Sequence, residues 1–173
     1  MFHKCVSNQF SILLVDQTKR QKNFKPFHKK YSFIYYNIPS NGLSNSRNFA
    51  INKSDADICL ICDDDVVFEK NFVDIVIKAF QTETSADIIT FRANNKLNKL
   101  FKKYPNKKIH NFKTIKFINS FLISFRRDKI INKKVFFDPL FGLGSTFQTA
   151  DEYIFLREAL EKKLNLLASK KII

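Results

Sequence analysis

The stretch ICLICDDDVVFEKNF, residues 58–72, runs an apolar strand straight into three adjacent carboxylates, Asp63, Asp64 and Asp65. Like charges 5 Å apart repel by about 3 kcal/mol at an effective dielectric near 20. The chain around them carries a formal net charge of +14, so acids gathered at one strand end ask for a cause. A solvated turn is one, and a cap for the following helix is another, since Asp is a good N-cap. A seat for a divalent cation is the sharper one. In an extended segment Asp63 and Asp65 share a side while Asp64 points away. At the rise of a strand the two outer acids stand about 6 to 7 Å apart. Mg²⁺ or Mn²⁺ typically takes one or two carboxylates and fills its shell with water and substrate phosphates.

Outward from this stretch, strands and helices alternate. Short apolar runs at residues 11–17, 31–38, 57–62 and 86–93 read as buried strands. Residues 43–54 read as a helix. In residues 69–83, Phe72, Ile75, Val76, Ala79 and Phe80 fall on one helical face. Residues 113–127 are β-rich, 150–163 form an amphipathic helix, and 164–173 close the chain as an edge strand. Strands separated by helices imply an α/β domain with a mostly parallel sheet covered on both faces. Parallel sheets of this kind bind ligands at the carboxyl ends of their strands, where Asp63–Asp65 lie. At 173 residues the chain is a single domain, residues 1–173, with no internal repeat or long linker.

Hydrophobic residues make up 45% of the chain, which excludes a disordered protein. One Met, no Trp and twenty Phe, with abundant Lys, Asn and Ile, mark codon drift in an AT-rich genome, and the same drift supplies part of the basic excess. The remainder points to anionic partners: a phospholipid face, a nucleotide or a nucleic acid. Cys5, Cys59 and Cys62 do not make a disulfide scaffold in a chain this long. CLIC has redox or zinc spacing, yet no second pair and no neighbouring His completes a site, so two buried thiols are expected. No segment reaches the roughly 20 apolar residues of a membrane helix, and the opening lacks a cleavage site. A cytoplasmic protein is expected, with peripheral contact at the inner face of an anionic membrane.

Three segments in order carry a resemblance: GLSNSRNFAI at residues 42–51, ADICLICDDDVVFEKNFVDIVIKAF at 56–80, and FFDPLFGLGSTFQTADEYIFLREAL at 136–160. Together they resemble the family 2 glycosyltransferases of GT-A fold. Those enzymes commonly carry a Gly-x-Ser-x-x-Arg-Asn segment, a strand ending in an Asp-x-Asp metal motif, and a Gly-rich loop before an acidic pair that opens a helix. The FGLG variant is most similar to some bacterial polysaccharide and surface-glycolipid (lipooligosaccharide) transferases.

The resemblance implies roles. Asp63 and Asp65 are the outer residues of the metal motif, with Asp65 on the cation held by the donor diphosphate and Asp63 near the ribose; Asp64 lies within the same donor site. Arg47 approaches the donor from the helix start, or pairs with the Asp cluster, or both. Asp16, at the end of LLVD, matches a strand-end acid that contacts base or ribose, although the family usually shows two acids and a Gly-Ser where this chain has DQT. Glu152 aligns with the general base and Asp151 supports it; the plain alternative is that both only cap the helix. Gly142 and Gly144 allow an acceptor-side turn. His3, His28 and His110 match no motif.

The implied activity is metal-dependent transfer of a sugar from a nucleotide-sugar donor, a UDP-sugar, to a surface glycan or glycolipid, with inversion, using Mn²⁺ or Mg²⁺. Two other readings stay open: a non-catalytic remnant of such an enzyme, and a basic nucleic-acid-binding module. The second lacks an RNP pattern, zinc spacing or helix-turn-helix, so no nucleic-acid partner is expected. Relatives open with a strand and helix that this sequence does not show; its first strand matches their second. An N-terminally truncated GT-A domain with weak donor binding is the expectation.

Overall fold

The computed structural model describes residues 10–19 and 32–173. Cys5, His3 and His28 lie outside them, as does the opening segment on which the expected missing strand bears. β1 (Ser11–Asp16) and β2 (Ser32–Asn37) pair in parallel, from Ser11 opposite Ser32 to Asp16 opposite Asn37. Then come α1 (Leu43–Lys53), β3 (Ile58–Leu60), α2 (Phe72–Thr82) and β4 (Ile88–Arg92). After β5 (Ile123–Arg126) follow α3 (Arg127–Asn132), α4 (Asp151–Glu161) and β6 (Leu166–Ile172). The described strands form two sheets, β1-β2 and β3-β5-β4-β6.

The α/β class holds, and so does coverage on both faces. β4 shows why: Ile88 faces a cluster with Ile51, Phe137, Phe155 and Leu156, while Ile89 and Phe91 face Phe72, Val76 and Phe80 of α2. Burying each such side chain contributes about 1.5–3 kcal/mol. Pairing is mixed rather than mostly parallel. β1–β2 and β4–β6 are parallel, whereas β5 runs antiparallel to both β3 and β4. A parallel strand needs a crossover that carries the chain back to the starting end. The connection from β4 to β5 contains none, so β5 starts at the edge where β4 ends.

The β-rich reading of residues 113–127 holds only for β5. Residues 115–117 and 120–122 are 3₁₀ turns, and their buried residues Ile115, Ile118 and Leu122 recur every three or four positions, a helical rather than a strand spacing. The next residues, Arg126 and Arg127, are spent internally. Arg126 donates to the carbonyls of Phe80 and Ala86, and Arg127 to those of Ile51 and Asn52. Each guanidinium thereby serves carbonyls at or just past a helix C-terminus.

β6 closes the sheet as expected, and its outer edge is covered. Ala168 N donates to Lys108 O at 2.7 Å and His110 N to Leu166 O at 2.9 Å. His110 is buried, with Nε2 2.8 Å from Thr90 Oγ1 and Nδ1 3.1 Å from Thr114 Oγ1. Burial lowers its pKa to about 4, which makes it a neutral strut and not a catalyst at neutral pH. β3 stops at Leu60, so the thiols do not both sit in a sheet interior: Cys59 is half-buried and Cys62 lies at the surface. Burial of its sulfur and the carboxylates of Asp63 and Asp64 push the Cys62 thiol up to about 12, far from a nucleophile's range.

Candidate active site

β1 ends at Asp16, whose carboxylate accepts from Thr18 N at 2.7 Å, Thr18 Oγ1 at 3.0 Å and Tyr35 OH at 2.7 Å. That bond to Asp16 is the main cause of the raised Tyr35 pKa. Gln17, where the family pattern is broken, reaches forward instead. Its Nε2 donates to Gly42 O at 3.0 Å and to Ser40 Oγ at 3.1 Å, tying the strand end to the entry of α1.

The residues of GLSNSRN divide the work of docking α1. Ser44, fully buried, donates to Phe141 O at 2.7 Å. One turn on, Asn48 donates to Phe137 O and accepts from Phe137 N, at 2.7 and 2.8 Å. Leu43 N donates to Leu143 O at 2.8 Å. Between Ser44 and Asn48, Arg47 lies over the Phe137 ring, 5.2 Å from its centre. Its Nη2 pairs with Asp63 Oδ1 at 3.1 Å, and its Nη1 pairs with Asp151 Oδ2.

Asp63 therefore has both oxygens engaged, since Ser120 Oγ donates to Oδ2 at 3.2 Å. Ser120 had no signal in the sequence. Asp64 and Asp65 are exposed and form a turn, so the strand spacing used to set Asp63 and Asp65 on one side does not apply. No group of three or more potential metal-ligating side chains forms among the described residues. An all-carboxylate set with exposed members has the chemistry of a hard cation's ligands, which leave room for water and substrate oxygens, and Asp64 and Asp65 are the exposed members.

On the other side, Ala150 takes a left-handed conformation, φ 67°, and α4 begins with Asp151 and Glu152. Ala150 at the N-cap offers no capping side chain, and both acids lie in the first turn, where their charge also favours the helix start. Asp151 is buried against Gly142; a β-carbon on that glycine, φ +97°, would lie 3.1 Å from Asp151 Cγ. Gly144 and Gly42 meet back to back, a β-carbon on the former falling 3.4 Å from the latter's Cα and N. Thus Gly142 and Gly144 bring the loop against both Asp151 and the start of α1. Glu152 is half-buried. Burial raises its pKa and Asp151 adds to the shift, while its own backbone N–H and Arg47 partly hold it back. Its charge also acts on Lys102, whose pKa burial lowers. The cavity of about 420 Å³ lined by Phe136, Ile154, Arg157 and Glu161 runs along α4 and includes none of these acids.

Residues 2–152 match the family model of Glycosyl transferase family 2. The chain belongs to that family. The glycosyltransferase domain also shares its GT-A fold with solved structures of S. aureus TarS. The crystal structure of TarS 1-349 superposes with a TM-score of 0.73 at 12% identity, over 94% of this chain and 49% of that one. The same TarS fragment in complex with UDP-GlcNAc gives 0.71 at 12%, over 94% and 47%. The longer S. aureus TarS structure gives 0.73 at 13%, over 95% and 31%. The domain thus spans about half the length of TarS 1-349. No curated protein matches its sequence. Among the described residues no helix is long and apolar enough to cross a membrane.

Proposed function

We propose that this domain transfers a sugar, with inversion and with Mn²⁺ or Mg²⁺ as cofactor, from a UDP-sugar to a hydroxyl of a surface glycan or glycolipid at the cytoplasmic face of an anionic membrane. One observation carries the reading. Arg47 pairs at once with Asp63 beyond β3 and Asp151 at the start of α4, so the strand-end acids and the helix-start acids belong to one site. The fold relatives with UDP and UDP-GlcNAc in their crystals support a uridine donor.

Asp65 is the cation's ligand. Asp63 adds to the shell through the lone pairs that Arg47 and Ser120 leave, and Asp64 stands beside the donor. When bound, the cation offsets negative charge on the departing diphosphate. Asp16, steadied by Tyr35 and Thr18, meets the ribose or base. Glu152 takes the proton of the acceptor hydroxyl as that oxygen bonds to the sugar C1. The bond from C1 to the diphosphate oxygen breaks, and its electron pair leaves with UDP. A carboxylate whose pKa is raised by burial is a better proton acceptor. Asp151, locked to Arg47, orients the junction and leaves proton transfer to Glu152.

Calorimetric titration of UDP, with and without Mn²⁺, tests the cation seat. Binding by the natural protein should depend on Mn²⁺, and Asp65→Asn should lose that dependence; identical titrations overturn the seat. A hydrolysis screen across sugar nucleotides tests the reaction. Donor binding with no hydrolysis or transfer under any condition would leave a non-catalytic domain.

A further inference from the structure

Between Asp87 and Asp128 the chain carries no acid and eleven Lys or Arg. Fold topology gathers part of that charge at one place. β3 and β4 both run antiparallel to β5, and β6 runs parallel to β4, so β3, β4 and β6 end at one edge of the sheet. Asp63–Asp65 follow β3 at this edge. From the end of β4 a hairpin projects, closed by the Asn94–Leu100 bridge. Its tip is a built turn: Asn95 Oδ1 accepts from Leu97 N at 2.9 Å and Lys99 N at 3.1 Å, and Asn98 sits at φ 56°.

This turn holds apolar side chains out in water. Leu97 is 76% exposed, Leu100 48% and Phe101 50%. Phe101 is braced edge-on by Phe121 at 6.2 Å. Around them Lys96, Lys99 and Lys103 are exposed, and none forms a salt bridge among the described residues. At the end of β6, Lys170 and Lys171 are also exposed. Apolar tips ringed by unpaired lysines complement one kind of surface, an acyl interior under anionic headgroups. Asp63–Asp65 stand two strands from β4, about 10 Å.

We infer that the 94–103 hairpin is the element that seats the domain on an anionic phospholipid bilayer, with Leu97 entering the headgroup region and Lys96, Lys99 and Lys103 lying on the phosphates. The purpose of the seat, presenting a membrane-borne acceptor, rests on the proposed transfer reaction; the seat itself does not.

The chain holds no Trp, so Leu97→Trp is a reporter of one position. With vesicles of phosphatidylglycerol and phosphatidylcholine at low salt, its emission should shift to the blue and iodide quenching should fall. Pure phosphatidylcholine should do neither. Changing Lys96, Lys99 and Lys103 to Gln should lower vesicle partition by about 100-fold, roughly fivefold per lysine, with the thermal unfolding midpoint unchanged. Three results overturn the inference: no sedimentation with anionic vesicles, sedimentation with the Trp still fully open to iodide, or the same blue shift on polyphosphate or RNA without lipid. No donor or turnover enters these readings, so their failure leaves the transferase reading intact. Seating without transfer counts against transfer alone.

Discussion

Replacing Arg47 by Met removes the cation that, among the described residues, pairs with both Asp63 and Asp151 and keeps most of the apolar stem that packs on Phe137. The Arg47 side chain is 10% exposed and that of Asp151 only 7%, so Asp151 becomes a buried, unpaired carboxylate. Breaking a buried pair in this way costs about 3–5 kcal/mol. The first turn of α4 returns about 0.3–1 kcal/mol to the stranded charge, which leaves a net loss near 3 kcal/mol. Asp63 adds little, being more exposed and still bonded to Ser120. With a urea slope of about 2 kcal/mol per molar, the unfolding midpoint should fall by about 1.5 M. Combining Arg47→Met with Asp151→Asn removes both charges, and most of the loss should return, a coupling of about 2 kcal/mol in the double-mutant cycle. A loss below about 1 kcal/mol, or strict additivity in the cycle, refutes the view of Arg47 as the charge that holds this junction.

Glu152→Gln should lower transfer by about 100-fold or more with donor affinity unchanged, as read by calorimetry beside initial rates. Because burial raises the Glu152 pKa, the proposed transfer should lose kcat/KM as pH falls through a value above the ordinary glutamate range, a limb that Glu152→Gln abolishes. His110 is neutral when folded, with its pKa lowered from 6.5 to about 4, so its contribution is complete above pH 6.5 and disappears as pH falls to 4. The loss is about 3 kcal/mol, and a His110→Gln variant should show a flatter stability profile over that window. Gly142→Ala forces a left-handed alanine, about 1–2 kcal/mol, and presses on Asp151; it should reduce transfer more than UDP binding, and equal losses in both would contradict its place on the acceptor side.

The strands and helices that hold single-period apolar runs were legible from sequence. The runs at residues 11–17 and 86–93 and the Phe72–Val76–Phe80 face became β1, β4 and α2 because nothing local competes with those patterns. The direction of β5 was not legible. Direction depends on what the connection from β4 does in space, and a basic, Asn-rich segment carries no period that reports it. At the site, Arg47 and the acids could be named from their motifs. The partners of Ser44 and Asn48 could not, lying 97 and 89 residues further along the chain. The grip of Ser120 on Asp63 likewise arises only when β5 starts beside the end of β3.

The three glycines of this chain all fall in one contact, where the 142–144 loop meets Asp151 and the entry of α1. Elsewhere, composition has drifted toward Lys, Asn, Ile and Phe, and these three glycines all hold a positive φ, with Gly142 in addition pressed against Asp151. Rarity thereby becomes positional information. In a saturation library these positions should form the narrowest minimum of tolerated substitutions on the polypeptide, tighter than the Phe-rich interior, where one bulky apolar group can stand in for another. The least replaceable part of this molecule is a place with no side chains at all.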